Sequence, residues 1–484
     1  MKLDNLLKGV KINELIGSIE RNINDFQFDS REIKNNDLFL AISGTNLDGN
    51  KYIGNAIDKG ASVIVCNKIP KLIDDNVTYV RTSNLRAALA IVSRNFFHNP
   101  STKLKLIGVT GTNGKTSVVS LLYQLFSNLG YKCGLISTVE NIIVDQKIKS
   151  THTTPNPKQL NFLLREMVNK GCSYCFMEVS SHAVDQKRVF GLDFDVAVFT
   201  NITHDHLDYH ENFANYLNAK KTFFDDLNNK SIALVNKDDK RSNFVLQNTE
   251  ALKKTFSLKS FSDFKCKIIE SDLEGMLLDI DGQSLWVKLI GKFNAYNLLA
   301  TYSVANLLEQ DVNAVLRNMS LLSPAEGRFE TFRNDKNISF ILDYAHTEDA
   351  LLNVLSTINS IKKKNQRLIT VFGCGGERDK LKRPLMTKVA CDHSSQVILT
   401  SDNPRGEKID DIISDMVFNL SKQNHSKTIV INDREQAIKT AFSIAQSFDI
   451  ILVAGKGHEK FQEINGKKKP FDDKEKILEL INQI

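Results

Sequence analysis

The sequence predicts an α/β protein of three domains, and three observations carry that reading. At 484 residues the chain is too long for one hydrophobic core, since domains run to roughly 100–200 residues each. From Lys103 onward, apolar strands alternate with amphipathic helices, the pattern of a mainly parallel sheet. A further strand series of the same kind begins near Ile338. The expected division is a smaller α/β N-terminal domain over 1–100, a central domain on a mainly parallel sheet over 101–330, and a C-terminal domain over 331–484.

In the first hundred residues the short apolar runs 37–42, 61–66 and 77–80 read as strands among helical stretches. They end in the polar His98-Asn99-Pro100-Ser101, which reads as a linker. In the central block the strand 104–109 runs into a glycine-rich turn. Val118, Leu121, Leu122, Leu125 and Leu129 then recur at helical spacing until Gly130 stops them. Strands follow at 174–179 and 196–200. The last series, at 338–342, 368–372, 397–400, 428–431 and 450–454 with helical segments between, predicts a Rossmann-like domain.

Composition narrows the class. Forty-two per cent hydrophobic and 25% charged residues are ordinary for a folded globular chain, and no apolar run is long enough to cross a bilayer. Met1 to Asn5 mix acid and base where a signal peptide needs an apolar run, so a cytoplasmic protein is expected. The net charge of +6 is thinly spread, and Lys362–Lys364 and Lys467–Lys469 read as solvated faces. Neither nucleic acid nor membrane is an expected partner, whereas a mildly basic cleft suits an anionic substrate. Seven cysteines without scaffold spacing point to a reducing compartment. Cys172 and Cys175 read as buried strand residues, because no second pair or histidine partner has metal-site spacing.

Between the first central strand and its helix lies Thr110-Gly111-Thr112-Asn113-Gly114-Lys115-Thr116. Glycines let backbone N–H groups turn toward phosphate oxygens, and the helix N-terminus adds positive potential. Lys115 then reaches the β- and γ-phosphates, and the Thr116 hydroxyl suits Mg²⁺. A P-loop, ATPase-type central domain follows. The general G-x-x-x-x-G-K-[ST] pattern is not met strictly, because Val109 occupies its first glycine position.

Two strand ends downstream carry matching chemistry: Glu178-Val179-Ser180-Ser181-His182, and Thr200-Asn201 followed by His204-Asp205-His206-Leu207-Asp208-Tyr209-His210. Carboxyl ends of parallel strands open into the ligand crevice, so Glu178 and His206 are expected to converge on one Mg²⁺ and the phosphates. Three histidines in seven residues also admit a zinc reading, but no H-E-x-x-H or cysteine pair supports it. Beyond lies Ala219-Lys220-Lys221 on an expected helix, where two lysines alone read as a solvated face. Such parts suit carboxylate activation: a carboxylate oxygen attacks the γ-phosphate of ATP, and an amine then displaces phosphate from the acyl phosphate.

Gly-Thr-Asn-Gly-Lys-Thr resembles the phosphate loop of the Mur ligases and of their relatives, the folylpolyglutamate synthetases. Further stretches resemble the Mur signatures in order: Gly291 to Asn297, Glu326 to Glu330, and Asp343-Tyr344-Ala345-His346-Thr347, with Glu348 where proline is usual. The resemblance covers nearly the whole chain. It implies an amide-bond-forming, ATP- and Mg²⁺-dependent ligase, a monomer, acting in peptidoglycan precursor synthesis for cell wall growth and division. It implies ATP contacts at Gly111, Thr112, Asn113, Gly114, Lys115, Thr116, Asn201, Asn297, Arg328 and Asp343. Thr116, Glu178, His206 and Lys220 become metal ligands, with Lys220 carbamylated, and Lys115, His206 and Lys220 catalytic.

Asp29-Ser30-Arg31 and Thr153-Thr154-Pro155 resemble the diaminopimelate-adding branch of the family. That branch implies UDP-N-acetylmuramoyl-L-alanyl-D-glutamate on Ser30, Thr153, Thr154, Ser180, Gln186 and Arg188. It implies meso-2,6-diaminopimelate on Arg378, Asp402, Asn403, Arg405, Gly455 and Glu459. The discriminating loop is Ser401-Asp402-Asn403-Pro404-Arg405, because a planar guanidinium grips a distal carboxylate that lysine lacks. Asn50 stands where histidine is common after Asp48-Gly49. A lysine-adding ligase, a folylpolyglutamate synthetase-like ligase and a nucleotide-binding scaffold without turnover are the alternatives; intact Lys115, Glu178, His206 and Lys220 argue against the last.

Overall fold

A computed structural model describes residues 1–43 and 48–482, with the side chains of Leu207 and Asp208 left aside. The chain forms a mixed α/β structure of three domains, each built on its own sheet.

The central sheet has 11 strands. Lys105–Thr110 lies in its middle, parallel to Val196–Phe199 on one side and to Tyr174–Glu178 on the other. Every residue of Tyr174–Glu178 and all but the first of Lys105–Thr110 are buried, which is why these strands read as continuous apolar runs. Alternation divides their side chains between two helical layers. Ile107, Val109 and Phe176 join the core formed with helices Lys115–Asn128 and Lys292–Leu307. Leu106, Cys175 and Met177 join the core formed with helices Pro157–Asn169 and Phe213–Asp225. Each Leu or Phe fully buried there contributes about 1.5–3 kcal/mol. The sheet therefore holds the ends of its middle strands in fixed register.

The N-terminal sheet has five strands, parallel except at Glu14–Ile16, which runs antiparallel to Thr78–Arg81. The C-terminal sheet has six, in the order Glu330–Arg333, Ser339–Asp343, Ile450–Ala454, Leu368–Phe372, Gln396–Leu399 and Thr428–Val430. Only Glu330–Arg333 pairs antiparallel. Helices cover both faces, with Glu348–Ile361 and Lys382–His393 on one and Arg434–Ile444 and Asp473–Asn482 on the other.

Most expected strands fall within a residue of those observed, but four features differ from expectation. The stretch 98–101 is no free linker. His98 and Asn99 take positive φ (61° and 49°), Pro100 and Ser101 are buried, and the Ser101 hydroxyl accepts from the Asp193 N–H at 3.2 Å. Cys172 lies in the turn before the strand and only Cys175 within it, although both are buried. The C-terminal sheet starts one strand before Ile338, at Glu330–Arg333, whose half-exposed edge lacks an apolar run. The antiparallel borders of the central sheet, Glu140–Ile143 with Gln146–Lys149 and Met276–Ile280 with Gln283–Val287, were not expected either. Among the described residues no helix is long and apolar enough to cross a membrane.

Candidate active site

The phosphate loop leaves strand Lys105–Thr110 and enters helix Lys115–Asn128 through two glycines that other residues would strain. Gly114 caps the helix at φ +88°, and a Cβ there would lie 2.7 Å from Asn297 Oδ1. At Gly111 a Cβ would meet Thr200 Oγ1 at 1.9 Å. Thr200 and Asn201, at the end of the neighbouring strand, hold the loop shut. The Asn113 carbonyl accepts from Thr200 Oγ1 (2.6 Å) and Asn201 Nδ2 (3.1 Å), while the Asn113 N–H donates to Asn201 Oδ1 (3.0 Å). Lys115 folds back to donate to the Gly111 and Thr112 carbonyls at 2.9 and 2.8 Å. Burial lowers its pKa, partly offset by Glu178 and Asp205.

Glu178 ends the adjacent strand and is 1% exposed. Its Oε1 accepts from Thr116 Oγ1 (2.9 Å) and the Thr138 N–H (2.7 Å), whereas buried Oε2 has no hydrogen-bond partner. A buried carboxylate oxygen left unpaired costs free energy, and beside the Thr116 hydroxyl it fits a hard cation that takes oxygen donors. Among the described residues no three His, Cys, Asp or Glu side chains form a self-contained metal cluster.

His206 has φ +54°, and its ring packs against His182 and Tyr216 with centroids 4.9 and 6.1 Å away. Burial pushes its pKa down to about 4; Asp205, 3.5 Å away, resists this, and Lys115 and Lys220 add to it. At neutral pH the ring is therefore uncharged and keeps a lone pair. Two adjacent lysines separate cleanly. Lys220 is 1% exposed and donates to the Gly111 carbonyl at 2.8 Å, with its nitrogen 4.7 Å above the Tyr216 ring. Burial lowers its pKa well below the usual lysine value, with Lys115 contributing. Lys221 turns instead to Asp225, at 2.6 and 2.7 Å.

The C-terminal domain reaches the loop directly. Asp349 Oδ2, in the first turn of helix Glu348–Ile361, accepts from Asn113 Nδ2 at 3.0 Å. Arg328 donates to Thr116 Oγ1 at 3.4 Å and stacks over the Tyr344 ring at 4.4 Å. Asp343 faces inward, its carboxylate taking the Phe329 and Ala345 N–H groups at 2.8 and 2.7 Å, so it shapes the Arg328 turn. Asn297 lies against Gly114.

Thr154, Ser180, Gln186 and Arg188 form one hydrogen-bonded group, with Thr153 beside it. Thr154 Oγ1 donates to the Glu178 carbonyl (2.8 Å), Ser180 caps helix Ser181–Asp185, and Arg188 binds the Thr154 carbonyl (2.7 Å) and Gln186 Oε1 (2.7 Å). Thr153 accepts from Thr138 Oγ1 at 3.0 Å. Ser30, buried in the N-terminal domain behind the Asp29 cap, has no direct hydrogen bond to this group. The two domains are tied nearby by Lys158, which donates to Asp25 Oδ2 and the Phe26 carbonyl, both at 2.8 Å.

The loop 401–405 lies on 373–378. Asn403 Nδ2 donates to Glu459 Oε2 (2.7 Å), Arg405 Nη1 donates to the Gly376 carbonyl (2.7 Å), and Asp402 borders Gly455. Arg378 is drawn alongside, its Cγ 3.7 Å from where a Gly375 Cβ would be, with Arg405 Nη1 at 3.0 Å from the same point. Sequence reasoning missed Asp349, Tyr344 and the fully buried Lys456, which donates to the Phe461 carbonyl and Asn403 Oδ1. Lys456 and Tyr344 had a signal, Lys456 in its place between Gly455 and Gly457 after a buried strand and Tyr344 in the signature that begins at Asp343, whereas Asp349 had none.

A phosphate loop overlaid by a third domain, with an unpaired buried carboxylate oxygen beside it, defines a P-loop α/β enzyme that uses a nucleotide. Family models for the Mur ligase family catalytic domain, the Mur ligase middle domain and the Mur ligase glutamate ligase domain match residues 22–97, 109–305 and 327–457. The chain belongs to the Mur ligase family of ATP-dependent, amide-bond-forming ligases. It is 49% identical over 480 residues to the UDP-N-acetylmuramoyl-L-alanyl-D-glutamate–2,6-diaminopimelate ligase of Phocaeicola vulgatus, covering 99% of each chain. The protein of that name from Clostridium tetani is 40% identical over 492 residues, covering 100% of each. A solved structure of a ligase of that name superposes with a TM-score of 0.72 at 31% identity, covering 100% of this chain and 99% of the other. The MurF ligase of Thermotoga maritima in complex with ADP shares the fold, with a TM-score of 0.63 at 17% identity over 95% of this chain and 97% of its own.

Proposed function

We propose that this chain joins meso-2,6-diaminopimelate to UDP-N-acetylmuramoyl-L-alanyl-D-glutamate, using ATP and Mg²⁺, as a cytoplasmic step of peptidoglycan precursor synthesis. The observation that carries the reading is the near-half identity, over the full length, to relatives bearing that activity in their name. The loop of Asn403 and Arg405 supports the amine assignment, because a guanidinium held at a fixed place suits a second carboxylate. In this reading residues 1–100 serve the UDP end, 101–330 hold ATP, 331–484 hold the amino acid, and the chain acts as a monomer.

The free carboxylate of the dipeptide attacks the γ-phosphate, its oxygen–phosphorus bond forming as ADP leaves. Lys115 and the loop N–H groups offset charge on the phosphoryl oxygens. Thr153, Thr154, Ser180, Gln186 and Arg188 orient the dipeptide, while Ser30 meets the UDP end. Bound Mg²⁺ supplies Lewis-acid neutralisation of the phosphates, and Thr116, Glu178 Oε2 and His206 are suited to hold it. Lys220 joins that set by adding its neutral amine to CO₂ with loss of one proton, which converts an amine into an anionic oxygen donor. Its burial favours the neutral form this needs. Asn201, Asn297, Arg328 and Asp343 border the nucleotide. The diaminopimelate amine, placed by Arg378, Asp402, Asn403, Arg405, Gly455 and Glu459, attacks the acyl phosphate and phosphate departs. The Asn113–Asp349 contact brings the C-terminal domain over the loop, and Arg328 closes on Thr116 beside it, where water would destroy the acyl phosphate.

The test is phosphate release by the purified protein with each of ATP, Mg²⁺, dipeptide precursor and diaminopimelate omitted in turn. The proposal requires all four, and steady turnover without the amine or the dipeptide would overturn it.

A further inference from the structure

Arg383 is not part of the site described above, yet it is one of the largest fully buried side chains in the protein. Its Nη1 donates to Glu407 Oε2 (3.0 Å) and Asp415 Oδ2 (2.8 Å). Its Nη2 donates to Glu407 Oε1 (3.0 Å) and to the Gly375 carbonyl (3.1 Å). Glu407 Oε1 also accepts the Glu377 N–H. One ion pair thus grips two loops: 373–378, through Gly375 and Glu377, and 401–407, through Glu407 itself.

Between those grips lies the place where the loops touch. Arg405 Nη1 donates to the Gly376 carbonyl, the Gly376 N–H donates to the Asn403 carbonyl at 2.9 Å, and a Cβ at Gly376 would lie 2.0 Å from the Pro404 carbonyl oxygen. Arg405 itself sits at φ +50°, a backbone state that surrounding contacts must hold for a residue with a side chain. A bidentate Arg–carboxylate pair is directional as well as strong, so it sets the separation of the loops and with it the placing of Arg378 and Arg405.

We propose that Arg383 and Glu407 are positioning residues for amino-acid selection: they hold Arg405 and Arg378 at the spacing that receives the distal carboxylate of the incoming diamino acid. This rests on the diaminopimelate reading above. Asp415 provides the internal control, because it pairs with the same guanidinium but binds neither loop.

The experiment measures KM for diaminopimelate, ATP and the dipeptide precursor, with kcat and thermal midpoint, in the wild type, Glu407→Gln, Arg383→Lys and Asp415→Asn. In Glu407→Gln the diaminopimelate KM rises about tenfold, the scale of one charge-assisted hydrogen bond. Its kcat and the other two KM values stay within about twofold, and the margin over lysine shrinks. Arg383→Lys, which keeps the charge but loses the fork, behaves the same way. Asp415→Asn lowers the thermal midpoint without moving that KM. The proposal is overturned if all KM values and kcat shift together, or if Asp415→Asn raises the diaminopimelate KM as much as Glu407→Gln. A wild type that ignores diaminopimelate would instead sink the substrate reading, and the positioning role with it.

Discussion

Lys220 and Gly111, 109 residues apart in the chain, meet through a 2.8 Å hydrogen bond from a buried lysine nitrogen to a phosphate-loop carbonyl, while neighbouring Lys221 turns to Asp225. The contrast underlies the proposal that Lys220, not Lys221, serves the nucleotide site. Lys220→Arg, which keeps a positive charge but cannot form a carbamate, should lose about 10²-fold or more in kcat, the scale of removing one electrostatic contact at a reacting centre. Lys221→Ala should keep near wild-type turnover. Steady-state assays of both variants check this, and equal losses would contradict it.

Glu178 divides its work between its two oxygens. Glu178→Gln keeps the shape and can still accept the Thr138 N–H, but it replaces the charged, unpartnered oxygen. The Mg²⁺ concentration for half-maximal activity should rise about 10–100-fold with an unchanged circular dichroism spectrum. A Mg²⁺ titration reads it directly, and an unchanged requirement would remove Glu178 from the metal site.

At Gly111 a Cβ would strike Thr200 Oγ1 at 1.9 Å. Gly111→Ala alone should therefore abolish nucleotide binding, and the double variant with Thr200→Ala should recover part of it, since the nearest remaining contact would be the Asn201 carbonyl at 3.0 Å. Calorimetry with ADP tests the pair. Strictly additive losses would show that Thr200 does not set the close approach.

Arg434 and Asp473 form an ion pair with both side chains fully buried, and Arg434 also holds the Ser401 and Ala454 carbonyls just before Asp402 and Gly455. Asp473→Asn leaves a buried guanidinium without its counter-ion, at a cost of about 3–5 kcal/mol. A lower first unfolding transition in differential scanning calorimetry is the expected outcome.

His458 carries a pH prediction. Burial pushes its pKa down to about 3, with Arg328, Lys456 and Lys460 adding to the effect. A histidine whose folded pKa lies below its unfolded value of about 6.5 contributes stability above pH 6.5 that is lost as pH falls toward the folded value, because the unfolded chain binds the proton first. His458→Gln should thus lose several degrees less than wild type between pH 7 and pH 4.5, since two pH units at about 1.4 kcal/mol each put the upper limit at about 2.7 kcal/mol. Parallel melting curves would contradict it.

What could be read from sequence was local. The phosphate loop, the all-buried strands 174–178 and 368–372 and the Asp402 to Arg405 segment announce themselves through residue type and spacing. What escaped depends on distance along the chain or on the absence of periodicity. Asp349 meets Asn113 across 236 residues, and nothing near either one signals the other. Arg383 reads as one basic residue among several in Lys380-Leu381-Lys382-Arg383, and only the fold withdraws it from solvent. Edge strands such as Glu330–Arg333 and Gln146–Lys149 are half-exposed or exposed along much of their length, so they lack the apolar run that marks a central strand.

In the proposed reaction, ATP cleavage is spent on an amide bond to a diamino acid with two carboxylates. Mass spectrometry of the nucleotide product, formed from ATP, Mg²⁺, UDP-N-acetylmuramoyl-L-alanyl-D-glutamate and equal amounts of diaminopimelate and lysine, tests it most directly. The wild type is expected to give the diaminopimelate adduct in large excess, with a shift toward lysine when Arg405 is replaced by Met. A lysine adduct dominating in the wild type, or ADP accumulating with no new nucleotide product, would contradict it.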